Sequence, residues 1–179
     1  LEPYSAYALN LMGVLSFRQD KHSDAERYFS QAMESDPGYA EPVTNLGVMR
    51  WKSDLREEAL DLFERGFALS PEISDNAVLY YSTVTALEAY ARAELILMDA
   101  HALHPNNKKI TFLLIDSLLK QNNHPAAMRE IEQAMITFGV DEGILQAALD
   151  VRAKLGPMEP DSQPRARPPI SLCMIVRDE

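Results

Sequence analysis

Four prolines stand at equal intervals in this chain, Pro3, Pro37, Pro71 and Pro105, each 34 residues after the one before. Proline lacks the N–H that a helix interior needs, and its ring clashes with the preceding turn, so each marks the close of a two-helix unit. Other residues keep the same phase. Alanines recur at 25, 59, 93 and 127, and a second small residue follows seven positions later, at Ala32, Gly66, Ala100 and Ala134. Between them lie Phe29, Phe63, Leu97 and Ile131, four residues after each alanine and one turn further along the same face. Small residues let two helices approach, and the large side chain plugs the gap. Upstream in each unit is an apolar pair on the partner helix: Met12-Gly13, Leu46-Gly47, Tyr80-Tyr81 and Leu114-Ile115.

This order, apolar-Gly, then Ala with a large residue four later, then Pro, resembles the tetratricopeptide (TPR) repeat over residues 6 to 139. The resemblance implies an all-α right-handed superhelix of antiparallel helix pairs. Departures carry expectations. The tryptophan of the family pattern is replaced by Leu9, Val43, Ala77 and Thr111, and its tyrosine by Ser16, Arg50, Val84 and Leu118. Tyr81 in place of glycine should widen the third helix pair, and the fourth unit closes on Gly139 rather than proline.

Local chemistry suggests where helices begin. Ser23 with Glu26, and Asp54 with Glu57, have capping-box spacing, which places second-helix starts near them. The third unit offers no glycine or proline at its turn, Leu87-Glu88-Ala89-Tyr90. Asp141 can cap a closing helix with Ile144, Ala148, Val151 and Leu155 on one stripe, stopped by Gly156 and Pro157. Leu1-Glu2-Pro3 falls in phase as the close of an earlier unit. With no initiating methionine, residues 1–5 read as the end of an upstream repeat in a longer array.

A 46% hydrophobic content suffices for a core, and no run of about 18 apolar residues could span a membrane. Cys173 is the single cysteine, so no disulfide forms within the chain, which favours a reducing, cytoplasmic compartment. Net charge is −10 and no basic run follows a helix face, so nucleic acid is not an expected partner.

The last two dozen residues differ in kind. Five prolines between 157 and 169, with Asp, Ser, Gln and Arg, make residues 156–169 a polar spacer. Ile170 to Val176 is then a continuous apolar, β-branched run that reads as a buried strand whose sheet lies elsewhere. With Arg177-Asp178-Glu179, it resembles the opening strand of a family 2 glycosyltransferase of GT-A fold. That resemblance implies a parent enzyme using a nucleotide sugar and a divalent metal, with Asp178 and Glu179 near the nucleotide-sugar site. The family's acidic metal motif and catalytic base are not in these residues. The chain itself is expected to be non-catalytic, with no cofactor of its own.

By the TPR resemblance, the first helix of each pair lines a concave groove for a protein or peptide. The groove residues are then Tyr7, Asn10, Val14 and Phe17 in the first unit, and Thr44, Asn45, Val48 and Trp51 in the second. Val78, Ser82, Phe112 and Asp116 continue it. Trp51 and Phe17 stand out, because aromatic side chains make good interface anchors, although the same rings could simply pack between helices. A carboxylate-clamp reading fails, since only Asn45 fits and Asn10, Val14, Asp75 and Leu79 replace the other members. An asparagine ladder is broken by Leu11, Leu79 and Leu113. His101 and His104 share a helix end where an imidazolium suits the dipole, and no third metal ligand accompanies them. His22 and His124 read as loop residues, and Glu57-Glu58 and Glu130-Glu132 as solvated faces. The leading expectation is the interaction array of a larger glycosyltransferase. The alternatives are a non-enzymatic scaffold whose tail strand joins a partner's sheet, and self-association through an open N-terminal face.

Overall fold

A computed structural model describes residues 5–156, so Pro3, the spacer from Pro157, the strand expected at 170–179 and the Asp178-Glu179 pair lie outside the described residues. Every described element is a helix: α1 (Ala6–Arg18), α2 (His22–Ser35), α3 (Ala40–Lys52), α4 (Arg56–Leu69), α5 (Ser74–Leu87), α6 (Tyr90–Leu103), α7 (Lys108–Lys120), α8 (His124–Phe138) and α9 (Glu142–Leu155). First helices start at 6, 40, 74, 108 and 142, and second helices at 22, 56, 90 and 124, so the 34-residue phase holds throughout. Pro37, Pro71 and Pro105 each fall two residues past a second helix, as their chemistry requires.

The repeated small residues sit where helices meet. Ala25, Ala32, Ala59, Ala93, Ala100, Ala127 and Ala134 are buried, and so are the plugs Phe29, Phe63, Leu97 and Ile131. A Cβ added to Gly13 would lie 2.5 Å from the Phe29 ring, and one added to Gly47 would lie 2.8 Å from Phe63. Glycine is the socket for the aromatic plug. Where the socket is filled the plug shrinks: Tyr81 faces a unit with Leu97, and Ile115 one with Ile131. Total volume is traded across the pair, which keeps packing near native density. The trade is imperfect in the third pair, because α5 and α6 meet far less extensively than α1 with α2 or α3 with α4. The widening expected from Tyr81 is present.

The turns inside the pairs obey a rule that the proline phase did not show. Asp20, Asp54, Glu88 and Asn122 all have left-handed backbone, φ 58°, 62°, 54° and 59°, and are themselves 34 residues apart. After each, an N–H reaches back across the helix end: Lys21 to Ser16, Leu55 to Arg50, Ala89 to Val84 and Asn123 to Leu118, at 2.9–3.0 Å. This is a Schellman ending, which satisfies carbonyls that the helix leaves free. It also corrects the capping-box reading. The turn delivers Lys21 and Leu55, not Ser23 and Asp54, to the N-cap position, and neither makes a side-chain cap. Ser23 falls inside the first turn and Asp54 ahead of it. His22 and His124, expected in loops, are the first residues of α2 and α8.

Glu88 is the least suited of the four left-handed residues, because its side chain lacks the short local hydrogen bond that lets Asn and Asp tolerate this region. Glu88→Gly should therefore stabilise the chain by about 1 kcal/mol and raise its melting temperature by about 2–4 °C. A calorimetric scan checks this, and a lower melting temperature would refute the strain.

The helix expected to close the array is in first-helix phase. In α9, Ile144, Ala148 and Val151 are buried against the α8 side, while Leu145 and Leu149 are exposed. They occupy the phase that faces a second helix in earlier units, at Thr111 and Ile115. Asp141 caps α9 as expected, accepting from the Ile144 N–H at 2.8 Å, and also from Lys108 Nζ at 2.7 Å. The Lys108 hydrogen bond, then the Ile144 N–H, holds its carboxyl below the usual carboxylate range. A depressed carboxyl stabilises the fold above its ordinary pKa and loses that contribution as pH falls through the folded value. The melting-temperature gap between wild type and Asp141→Asn should thus be open at neutral pH and close in acid. A gap independent of pH would contradict it.

Candidate partner-binding groove

The groove expected on the first helices is partly sealed and partly open. Asn10 is buried: its Nδ2 donates to Glu41 Oε2 at 3.1 Å and to Tyr39 Oη at 3.3 Å, while its Oδ1 accepts from Asn45 Nδ2 at 2.9 Å. Tyr39 donates to Glu41 at 2.6 Å. Burial, then the Glu41 carboxylate, pushes the Tyr39 phenol up to about 12. The four side chains form a relay tying α1 to α3, so Asn10 and Asn45 are engaged with each other. Thr44 is also buried, its Oγ1 bonded to Ala40 O at 3.1 Å and Asn76 Oδ1 at 3.3 Å. Asn10 and Thr44 thus lie inside the helix contacts and not on the open face, because their phase faces a neighbouring helix.

The remaining candidates divide. Tyr7 and Val78 are exposed. Val14 and Phe17 are half-buried against the cluster of Ala25, Phe29, Leu46 and Met49. Phe112 packs with Ile115, Ile131 and Ile144. Asp116 accepts from Tyr81 Oη at 2.8 Å, and burial followed by that carboxylate raises the Tyr81 phenol. Val48, Trp51 and Ser82 do come together. They line a notch of about 220 Å³ between α3 and α5, completed by Lys52, Leu79, Thr83 and, from α4, Phe63. A second notch of about 320 Å³ has Lys52 in its wall too, and is otherwise lined by Phe17, Arg18, Asp20, His22 and Ser53.

Three of the groove aromatics lie near cations. Lys52 Nζ is 4.9 Å from the Phe17 ring centroid, Arg56 is 4.1 Å from Trp51, and Lys108 is 5.6 Å from Phe112. At such distances the ring face attracts the charge and the ring is held in a fixed orientation. The His22 ring meets Phe17 edge-on at 5.6 Å. Sequence reasoning missed Lys52 and Leu79 as lining residues and Arg56 as the cation over Trp51. Their signal was present, since Lys52 repeats the phase of Arg18, Arg56 that of His22, and Leu79 that of Asn45.

His101 behaves structurally. His101 Nδ1 is 3.1 Å from Thr111 Oγ1 and its Nε2 3.8 Å from Glu130, which ties α6 to α7 and α8. Among the described residues, no group of three or more His, Cys, Asp or Glu could hold a metal ion. None of the described helices is long and apolar enough to cross a membrane.

Five first helices, four second helices and a period of 34 residues define a TPR-like helical repeat. Solved structures share this fold. MamA superposes with a TM-score of 0.57 at 15% identity, covering 84% of this chain and 82% of that one. The pilF protein of Pseudomonas aeruginosa gives 0.52 at 20% identity, over 86% of this chain and 70% of its own. YrrB, described as a TPR protein with an unusual peptide-binding site, gives 0.50 at 17% identity, over 85% and 89%. No protein-family model and no curated protein sequence matches the chain.

Proposed function

We propose that this chain is a protein-interaction array that holds an extended segment of a partner along its first-helix face. The carrying observation is the pair of notches that share Lys52, with Phe17 on one and Val48, Trp51 and Ser82 on the other, drawn from three successive units. Half-buried aromatics at a concavity offer large contact area with little side-chain freedom to lose. The peptide-binding site named for YrrB is in keeping with this use of the fold. Panning a random peptide library on phage against the full chain tests it. Enriched peptides whose binding is lost in Trp51→Ala support the groove. A library that enriches nothing, or peptides indifferent to Trp51, counts against it.

We further propose that residues 6–155 are the recognition part of a larger family 2 glycosyltransferase, with 156–169 as spacer and 170–179 as the first strand of the catalytic domain. The support is the strand-like run Ile170 to Val176 with its Arg177-Asp178-Glu179 ending, placed directly after the proline-rich spacer. On this reading the array positions the enzyme on its acceptor or an assembly partner in the cytoplasm. The nucleotide sugar and its divalent metal belong to the catalytic domain, with Asp178 and Glu179 near the former. Reading the gene past Glu179 decides: lack of an Asp-x-Asp-like motif within a domain length of about 100 residues defeats the link.

Self-association is favoured by a separate observation on α1. Met12 is 43% exposed, while its counterparts Leu46, Tyr80 and Leu114 are 7%, 0% and 2% exposed. Later units cover this position with the preceding pair. Sedimentation that shows only monomer at high concentration removes this reading.

A further inference from the structure

The larger notch is basic in an acidic protein. Arg18, His22 and Lys52 line the larger one and Arg56 covers Trp51 beside it, in a chain of net charge −10. Asp20 is the one acid lining either notch, and the nearby Asp54 is held by Arg56 at 2.7 Å. Two arginines elsewhere are spent on ties between helices. Arg50 bridges Glu26 and Glu58, and Arg92 bridges Asp61 and Glu64. Arg18 and Lys52 have no such acidic partner among the described residues. Their charge is available to a ligand.

The smaller notch is of opposite character. Val48, Leu79, Phe63 and the Trp51 ring make an apolar recess next to the cations, with Ser82 and Thr83 at its edge. Both hydroxyls are already donated to the Leu79 carbonyl, at 3.0 and 2.9 Å, so they add little polarity. A volume of about 220 Å³ suits one large side chain. The two recesses share Lys52, whose ammonium can reach a carboxylate on one side while its stem borders the other.

Resting on the groove reading above, we propose that this site selects an acidic peptide in which a glutamate or aspartate adjoins an aromatic or large aliphatic residue. The carboxylate enters the Arg18, His22 and Lys52 notch, and the apolar neighbour enters the Val48, Trp51 and Leu79 recess. Complementary charge sets orientation and encounter, and the apolar recess supplies the anchor. Single-stranded nucleic acid also pairs cations with aromatic stacking, but the strongly acidic remainder of the chain repels an extended polyanion. A short peptide meets only the local field.

The test uses the full chain and a fluorescein-labelled peptide of repeated Glu-Phe-Ser triplets, read by fluorescence anisotropy. Replacing every Glu by Gln, or every Phe by Ala, should weaken binding about tenfold or more. Lys52→Glu and Arg18→Glu, both on exposed side chains, should do the same with an unchanged helical circular-dichroism spectrum, while Arg129→Glu on α8 leaves binding intact. Equal affinity for the Gln peptide, no binding at all, or displacement by a thymidine oligonucleotide of matching length at equal concentration overturns the assignment. Failure here is separable from failure of the groove itself. Phage peptides that need Trp51 but carry no carboxylate overturn the acidic preference and leave the groove standing.

Discussion

Phe63→Ala should cost about 3–5 kcal/mol. Phe63 is almost wholly buried, fills the socket left by Gly47, and also forms the floor of the smaller notch. Truncation removes the transfer free energy of the ring and leaves a cavity that Gly47 cannot fill, since it has no side chain to move in. The converse change is informative. Gly47→Ala places a Cβ 2.8 Å from the ring and should cost about 1–3 kcal/mol by overpacking. Combining it with Phe63→Leu copies the trade found at Tyr81 with Leu97, so the double variant should be more stable than the sum of its parts. Urea denaturation of the four chains gives the coupling. Strict additivity, or a Phe63→Ala penalty under about 1 kcal/mol, would show that socket and plug are independent.

Gly66→Ala is expected to destabilise by about 3 kcal/mol, although the other three units carry alanine at this phase. A Cβ there would meet Thr44 Oγ1 at 2.6 Å. Thr44 cannot simply turn away, because its hydroxyl bonds Ala40 O and Asn76 Oδ1, and Asn76 Nδ2 in turn donates to Gly66 O and Ser70 O, each at 3.4 Å. Moving the threonine leaves buried polar atoms unpaired. Thr44→Ala in the same chain should recover much of the loss by making room. A measured double-mutant cycle with no coupling would refute this account. The same contacts explain why Thr44, placed in the groove by its phase, does not line it.

The proline and alanine phases make the helix pairs legible from sequence because they report steric constraints that only a few residues satisfy. The plugs at Phe29, Phe63, Leu97 and Ile131 follow from the same logic, and all are buried. The turns were less legible. Left-handed backbone at Asp20, Asp54, Glu88 and Asn122 carries no glycine, and a Schellman ending is a backbone device that tolerates varied side chains. Ser23 and Asp54 had the right chemistry for a cap one or two residues from where the turn needs it. At the groove, the phase that groups Val48, Trp51 and Ser82 corresponds to one notch, whereas Asn10 and Thr44 are buried in helix contacts. A stripe of one helix shows which residues share a face, but the crossing of neighbouring helices decides which part of that face is covered.

The glycine sockets at Gly13 and Gly47, absent from the third and fourth pairs, give the array an uneven character. Its first two pairs stack closely, while α5 and α6 lie farther apart along their backbones yet share one buried core. A ligand seated between α3 and α5 would span a closely stacked pair and a looser one.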